Sequence, residues 1–292
     1  MTKTGKEYEN VILQDKTGYL DAKIWDPGSM GIDDFDALDY VEVNGDITVY
    51  NGQVQLSIKR ARKVSSDSVD TANYLPCTDK NMDEMMTELL KFIASVNNPY
   101  YKQALTALFI DNKDFAERFK MHSAAKSVHH GFIGGLLEHT LSVTKLCDFY
   151  TKQYPFLNRD LLVTAAICHD IGKVYELSDF PANDYTDAGQ LLGHIVMGSE
   201  MLSKIIATIP NFPQKQANEL KHCILAHHGE LEYGSPKKPA LVEALALNFA
   251  DNTDAKMETM KEIFDSNKTA GSDEWLGYNR LLESNVRRTS ID

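Results

Sequence analysis

From Tyr8 to about Val64, apolar and polar residues alternate in short runs separated by turn-forming dipeptides. YENVILQ, the turn DKTG and YLDAKIWD read as one hairpin, with Leu20, Ala22 and Ile24 opposed to Asp21, Lys23 and Trp25. DYVEVNGDITVYNGQVQLSIKRARKV adds strands, with Asn44-Gly45 and Asn51-Gly52 as turns. Residues 1–64 are therefore expected to form a small β module. Residues 65–81, SSDSVDTANYLPCTDKN, lack a period and read as a linker. Beyond them the spacing of apolar positions changes to three and four, as in MDEMMTELLKFIASV, LLEHTLSVTKLCDFY, GHIVMGSEMLSKIIATI and ALVEALALNFADNTDAKM, which predicts an all-α domain over 82–292. One run, LLVTAAI, is apolar but for Thr164 and suits a buried helix. The tail SNVRRTSID is polar and reads as a frayed end.

Composition narrows the class. The 292 residues are enough for two cores, and 43% hydrophobic with 25% charged residues is the balance of a soluble globular protein. No apolar run approaches the roughly 20 residues that span a bilayer, and MTKTGKEYEN has no signal-peptide pattern, so a cytoplasmic protein without membrane contact is expected. Four cysteines without a CxxC pair suggest neither a disulfide framework nor a cysteine-rich zinc site. A net charge of −12 argues against coating nucleic acid by charge alone, although metal-binding acids would contribute to such a charge in a nuclease.

All nine histidines fall between His122 and His228. A lone buried histidine is usually a satisfied core residue, but the set asks for a common explanation. His139 shares a helix side with Leu136 and Val143 and so points inward. His169 and Asp170 follow LLVTAAIC, about 100° apart around a helix, and can both reach one ion. His194 opens a helix, and His227 and His228 close one, either of them a candidate ligand. His222, five residues before His227, faces elsewhere. Asp251 follows the apolar run EALALNFA. Imidazoles and carboxylates without thiolate suit Mn²⁺, Fe²⁺, Mg²⁺, Co²⁺ or Zn²⁺ in open coordination, with Mn²⁺ favoured. The ligands are too many for one ion with room for water. Two ions about 3.5–4 Å apart, bridged by Asp170, would use them all.

The order His139, His169-Asp170, His194, His227-His228, Asp251, with Ile-Gly-Lys after the His-Asp pair, resembles the HD-domain superfamily of metal-dependent phosphohydrolases. A narrower resemblance, over nearly the whole chain, is to the bacterial 3′-to-5′ exoribonucleases that fuse an OB-fold to an HD domain. It rests on HHGFIGGLLEHTLSV, DYTDAGQLLGHIVMG, ILAHHGELEYGSPKKPALVEALAL and ADNTDAKM, and upstream on ILQDKTGYLDAKIWD and VYNGQVQLSIKRARKV. It implies a multidomain α and β fold: an N-terminal OB-like β-barrel, here lacking part of its first strand because only MTKTGKEY precedes YENVILQ, then an all-α HD domain.

The implied activity is metal-dependent hydrolysis of single-stranded RNA, with single-stranded DNA a further substrate, to nucleoside monophosphates by a metal-activated hydroxide. Asp170 would serve as a catalytic residue as well as a ligand. Lys173 would place positive charge near the phosphate, the alternative being a solvent-facing lysine favoured by the helix dipole. His130, before GFIGG, would contact substrate from the cleft rim. On the β module, Tyr19, Trp25 and Tyr50 would stack bases, and Lys59, Arg60, Arg62 and Lys63 would follow the backbone. Against this, Trp25 could be core and KRARK a solvated strand end. Competing readings are an HD-type phosphohydrolase or phosphodiesterase of small nucleotides or cyclic dinucleotides and an inactive nucleic-acid-binding protein. The apolar helices are compatible with burial within one subunit or across a homo-oligomer interface.

Overall fold

The computed structural model describes residues 8–16, 18–50, 53–70, 73–126, 130–266 and 274–290. The chain divides into two compact units, Met1–Cys77 and Thr78–Asp292.

In the first unit, β1 (Glu9–Asp15), β2 (Gly18–Ile24), β3 (Tyr40–Tyr50) and β4 (Gln53–Val64) form one sheet in the order β1-β2-β4-β3. β1 and β2 form the antiparallel hairpin, β2 runs parallel to β4, and β3 and β4 are antiparallel. Alternation puts Ala22 and Ile24 of β2 against Leu56, Ile58 and Ala61 of β4 as the unit's core. The sheet is open, which corrects the expected barrel. A barrel closes only when its edge strands pair, and all seven residues of β1 are in register with β2 while none pairs with β3 among the described residues. Asn44-Gly45 is not a turn but a register shift inside β3, opposite Ile58 and Arg60. Asn51-Gly52 lies outside the described residues.

The second unit is built from α1 (Met82–Ser95), α2 (Pro99–Thr106), α3 (Lys113–Met121), α4 (Gly135–Gln153), α5 (Arg159–Cys168), α6 (Lys173–Glu176), α7 (Asp187–Thr208), α8 (Gln214–Leu225) and α9 (Val242–Ser266). Asn81, at the end of the segment read as linker, accepts the N–H groups of Asp83 and Glu84 and so starts α1. α5 carries the run LLVTAAI, and every residue from Leu161 to Cys168 is buried. A helical stretch with apolar or small residues on every side has no solvent face to spare, so it becomes the centre of the bundle. It packs against α2, α4, α8 and α9. Leu136, Leu137 and Val143 of α4, Leu220 and Ile224 of α8 and Leu247 of α9 join the same core. Two strands, β5 (Trp275–Asn279) and β6 (Ser284–Arg287), pair as a hairpin, so the unit is not wholly α and the tail is not simply frayed. Val286, within the supposed fray, is buried. No helix among the described residues is long and apolar enough to cross a membrane.

Candidate metal centre

The central helix delivers the chemistry. α5 ends at Cys168, and His169 and Asp170, completely or almost completely buried, turn off its end into the space between α4, α7, α8 and α9. Gly172 then lets the chain cross α7 at backbone contact, since a Cβ there would lie 2.1 Å from the carbonyl oxygen of His194. α7 itself is kinked at Gly193, whose φ of 72° and ψ of 155° are non-helical and in a region that favours glycine. The kink starts a second helical stretch at His194, whose backbone N–H donates to Glu176 Oε1 at 2.9 Å.

Asp170 faces two groups of imidazoles, one with each oxygen. Its Oδ2 lies 3.5 Å from His139 Nε2 and 3.4 Å from His169 Nε2. Its Oδ1 lies 3.4 Å from His194 Nε2 and 3.7 Å from His227 Nε2. Asp251, on α9, closes the first group, with Oδ1 3.2 Å from His139 Nε2 and 3.9 Å from His169 Nε2. His228 completes the second: His194, His227 and His228 each bring a ligand atom within 4.8 Å of the others, as do His139, His169 and Asp170. Both His227 and His228, between which the sequence leaves the choice of ligand open, stand in this group.

The donor set fits divalent metal. The Nδ1 of His169 donates to the Ala166 carbonyl at 2.8 Å, that of His227 to Ile224 at 2.7 Å and that of His228 to Tyr233 at 2.8 Å. His139 Nδ1 lies 2.7 Å from Asp254 Oδ2, and His194 Nδ1 lies 3.0 Å from Glu176 Oε1. With Nδ1 occupied in all five rings, Nε2 is the atom each turns to the centre, where those of His139 and His169 lie 3.1 Å from each other. Asp170 Oδ1, His194 Nε2 and His227 Nε2 are buried without a hydrogen-bond partner among the described residues. A buried polar atom left unpaired costs about 1–3 kcal/mol, which coordination to an ion would remove.

The charges agree. Burial opposes ionisation of Asp170, but Lys173 and the His169 and His194 rings outweigh it and hold the carboxyl well below its ordinary range. Burial and the neighbouring His228 and His169 rings push His227 well below its ordinary value, and burial with His194 lowers His228, so both favour the neutral, ligating form. His139 differs. Burial is outweighed by hydrogen bonds to Asp251 and Asp254, and its value rises to about 10.

Lys173, at the start of α6, is mostly buried and places Nζ 2.9 Å from Asp170 Oδ2, so it is not a solvent-facing helix-end lysine. His130 is only 2% exposed, with Nε2 3.0 Å from Asp254 Oδ2, and therefore does not sit on a cleft rim. His222 stands apart, accepting the Ala240 N–H. In the first unit Tyr19 is 81% exposed, while Trp25 is 44% exposed and packs on Tyr8. The Tyr50 side chain lies outside the described residues. Lys59 pairs with Asp46 and Lys63 with Asp39, whereas Arg60 and Arg62, both exposed, have no ion-pair partner among the described residues.

Two acidic residues are not singled out by the sequence pattern. Asp254 accepts from His139, His130 and Ser142 Oγ, and Glu176 holds His194 twice. Asp254 had a signal, standing one helical turn after Asp251 on the same helix. Glu176 had none beyond its closeness to Lys173.

Residues 136–256 match the HD domain family model, so the helical unit contains an HD domain, a class that binds divalent metals, and the histidine and aspartate clusters here could hold them. Over 265 residues the chain is 36% identical to the 3′-5′ exoribonuclease YhaM of Geobacillus sp. (strain WCH70), covering 90% of this chain and 81% of that relative. It is 37% identical over 257 residues to YhaM of Bacillus subtilis (strain 168), covering 88% and 81% of the two chains. For YhaM of Listeria monocytogenes serotype 4b (strain CLIP80459), 34% identity extends over 287 residues, 96% of this chain and 90% of the relative. The chain belongs to the YhaM family of 3′-5′ exoribonucleases. No solved structure matches it.

Proposed function

We propose that this protein is a cytoplasmic, metal-dependent 3′-to-5′ exoribonuclease that shortens single-stranded RNA to nucleoside monophosphates. The observation that carries the metal chemistry is Asp170, with one oxygen turned to His139 and His169 and the other to His194 and His227. In this reading His139, His169, Asp170 and Asp251 would hold one divalent ion, and Asp170, His194, His227 and His228 would hold another, with Mn²⁺ the favoured metal. Such ions supply Lewis-acid activation of the attacking water and charge compensation at the phosphoryl oxygens. Lys173 keeps Asp170 ionised and adds positive charge beside the phosphate. Tyr19 offers a base-stacking face, and Arg60 and Arg62 offer unneutralised charge to the RNA backbone.

The test is a time course with 5′-labelled single-stranded RNA and its DNA counterpart, with Mn²⁺ or chelator, for wild type and Asp170→Ala. A metal-dependent ladder shortening from the 3′ end, lost in the variant, is the expected result. Intact RNA with metal bound would overturn the reading and move attention to small nucleotides and cyclic dinucleotides.

A further inference from the structure

Three of the five ligand histidines are oriented by main-chain carbonyls, of Ala166, Ile224 and Tyr233. The other two are oriented by carboxylates, and these two stand in different halves of the centre. His139, in the half that includes His169 and Asp251, meets Asp254 of α9. His194, in the half that includes His227 and His228, meets Glu176 of α6. Both carboxylates are themselves held. Asp254 also accepts from Ser142 Oγ and His130 Nε2, and Glu176 also accepts the His194 backbone N–H at the kink. A carboxylate on Nδ1 fixes the tautomer that presents Nε2 and raises the basicity of that nitrogen.

We propose that Asp254 and Glu176 are positioning residues that set the metal affinity of the two halves separately, Asp254 for the His139 half and Glu176 for the His194 half. The proposal rests on the two-ion reading above. It also gives His130 a role, as a buried donor that holds Asp254 rather than as a substrate contact.

The experiment is equilibrium dialysis of the full chain against Mn²⁺, with the metal counted by mass spectrometry, for wild type, Asp254→Asn and Glu176→Gln. Wild-type stoichiometry tests the two-ion reading by itself: one ion at saturation would refute that reading and this proposal with it. With two ions in the wild type, each variant should keep one ion at unchanged affinity and bind the other about 10–100-fold more weakly. Asp254→Asn should further weaken the residual ion in a His194→Ala background and have no such effect in a His139→Ala background, with Glu176→Gln showing the reverse. Equal weakening of both ions, or none, would overturn the proposal while leaving the two-ion reading intact. If a variant does not fold, ring-nitrogen NMR of the Zn²⁺-loaded wild type decides: the proton on Nδ1 of both His139 and His194 supports the proposal, and its absence from either refutes it.

Discussion

Gly172→Ala separates local preference from tertiary demand. Gly172 has φ −66° and ψ −23°, a conformation that any residue adopts. On backbone entropy alone, alanine there would stabilise the fold by about 0.4–1 kcal/mol. The new Cβ, however, would lie 2.1 Å from His194 O, 2.8 Å from the His194 carbonyl carbon and 2.8 Å from Gly198 N, all main-chain atoms of α7 that cannot rotate away. Carbon–oxygen contacts begin near about 3.3 Å, so the two segments must part by roughly 1 Å. Overpacking of this kind costs about 1–3 kcal/mol, and more where backbone must shift, so the clash outweighs the entropic gain. The same displacement separates Asp170 from His194, now 3.4 Å apart. A misplacement of about 1 Å at a reacting centre costs on the order of 100-fold in rate. Calorimetry should therefore show a lowered Tm, and single-turnover RNA cleavage at saturating Mn²⁺ should slow by about two orders of magnitude. A variant with unchanged Tm and rate would refute the argument that the glycine is required by the α6–α7 approach.

Other outcomes are also checkable. With His139 raised to about 10, metal must displace a proton, so calorimetric Mn²⁺ binding near neutral pH should vary with buffer ionisation enthalpy, and affinity should rise with pH. For the metal-free fold, this group's contribution is fully present below its ordinary value of 6.5 and is lost as pH rises through about 10, which urea midpoints in chelator would register. Asp251 and Asp254 are depressed despite burial, chiefly by hydrogen bonds from His139 and from His130 with His139 respectively, so their contribution is present above 3.8 and fades as pH falls below it. Arg60→Ala with Arg62→Ala should weaken binding of single-stranded RNA and reduce the slope of log K against log salt by about 0.7 for each phosphate no longer neutralised, a slope that would stay constant if the sheet does not meet RNA. Leu162→Ala, in the fully buried α5, should cost about 2–5 kcal/mol in urea unfolding, and a loss well under 1 kcal/mol would contradict its central place.

Much of this was legible locally. Alternation in YLDAKIWD located a hairpin, and the run LLVTAAI, apolar but for Thr164, marked a helix that must be enclosed. The confinement of nine histidines to one stretch, together with the His-Asp pair, pointed to candidate metal ligands. Residue type and period suffice for such inferences because they concern which side of its own element a side chain occupies. They are silent on what that side meets. The open edge of the sheet depends on whether β1 and β3 approach, and the Asn44-Gly45 shift on register against β4.

The metal centre shows the same division. The chain's own chemistry determined which groups can bind an ion, neutral imidazoles and carboxylates, and set a lysine close to them in sequence. Tertiary structure decided that Asp170 turns one oxygen to each group of rings, that both His227 and His228 stand with His194, and that His130 is buried. It also recruited Asp254 to His139, 115 residues away in sequence. Periodicity cannot foresee that contact, because it is set by how α4 and α9 cross and by the need of a buried carboxylate for donors.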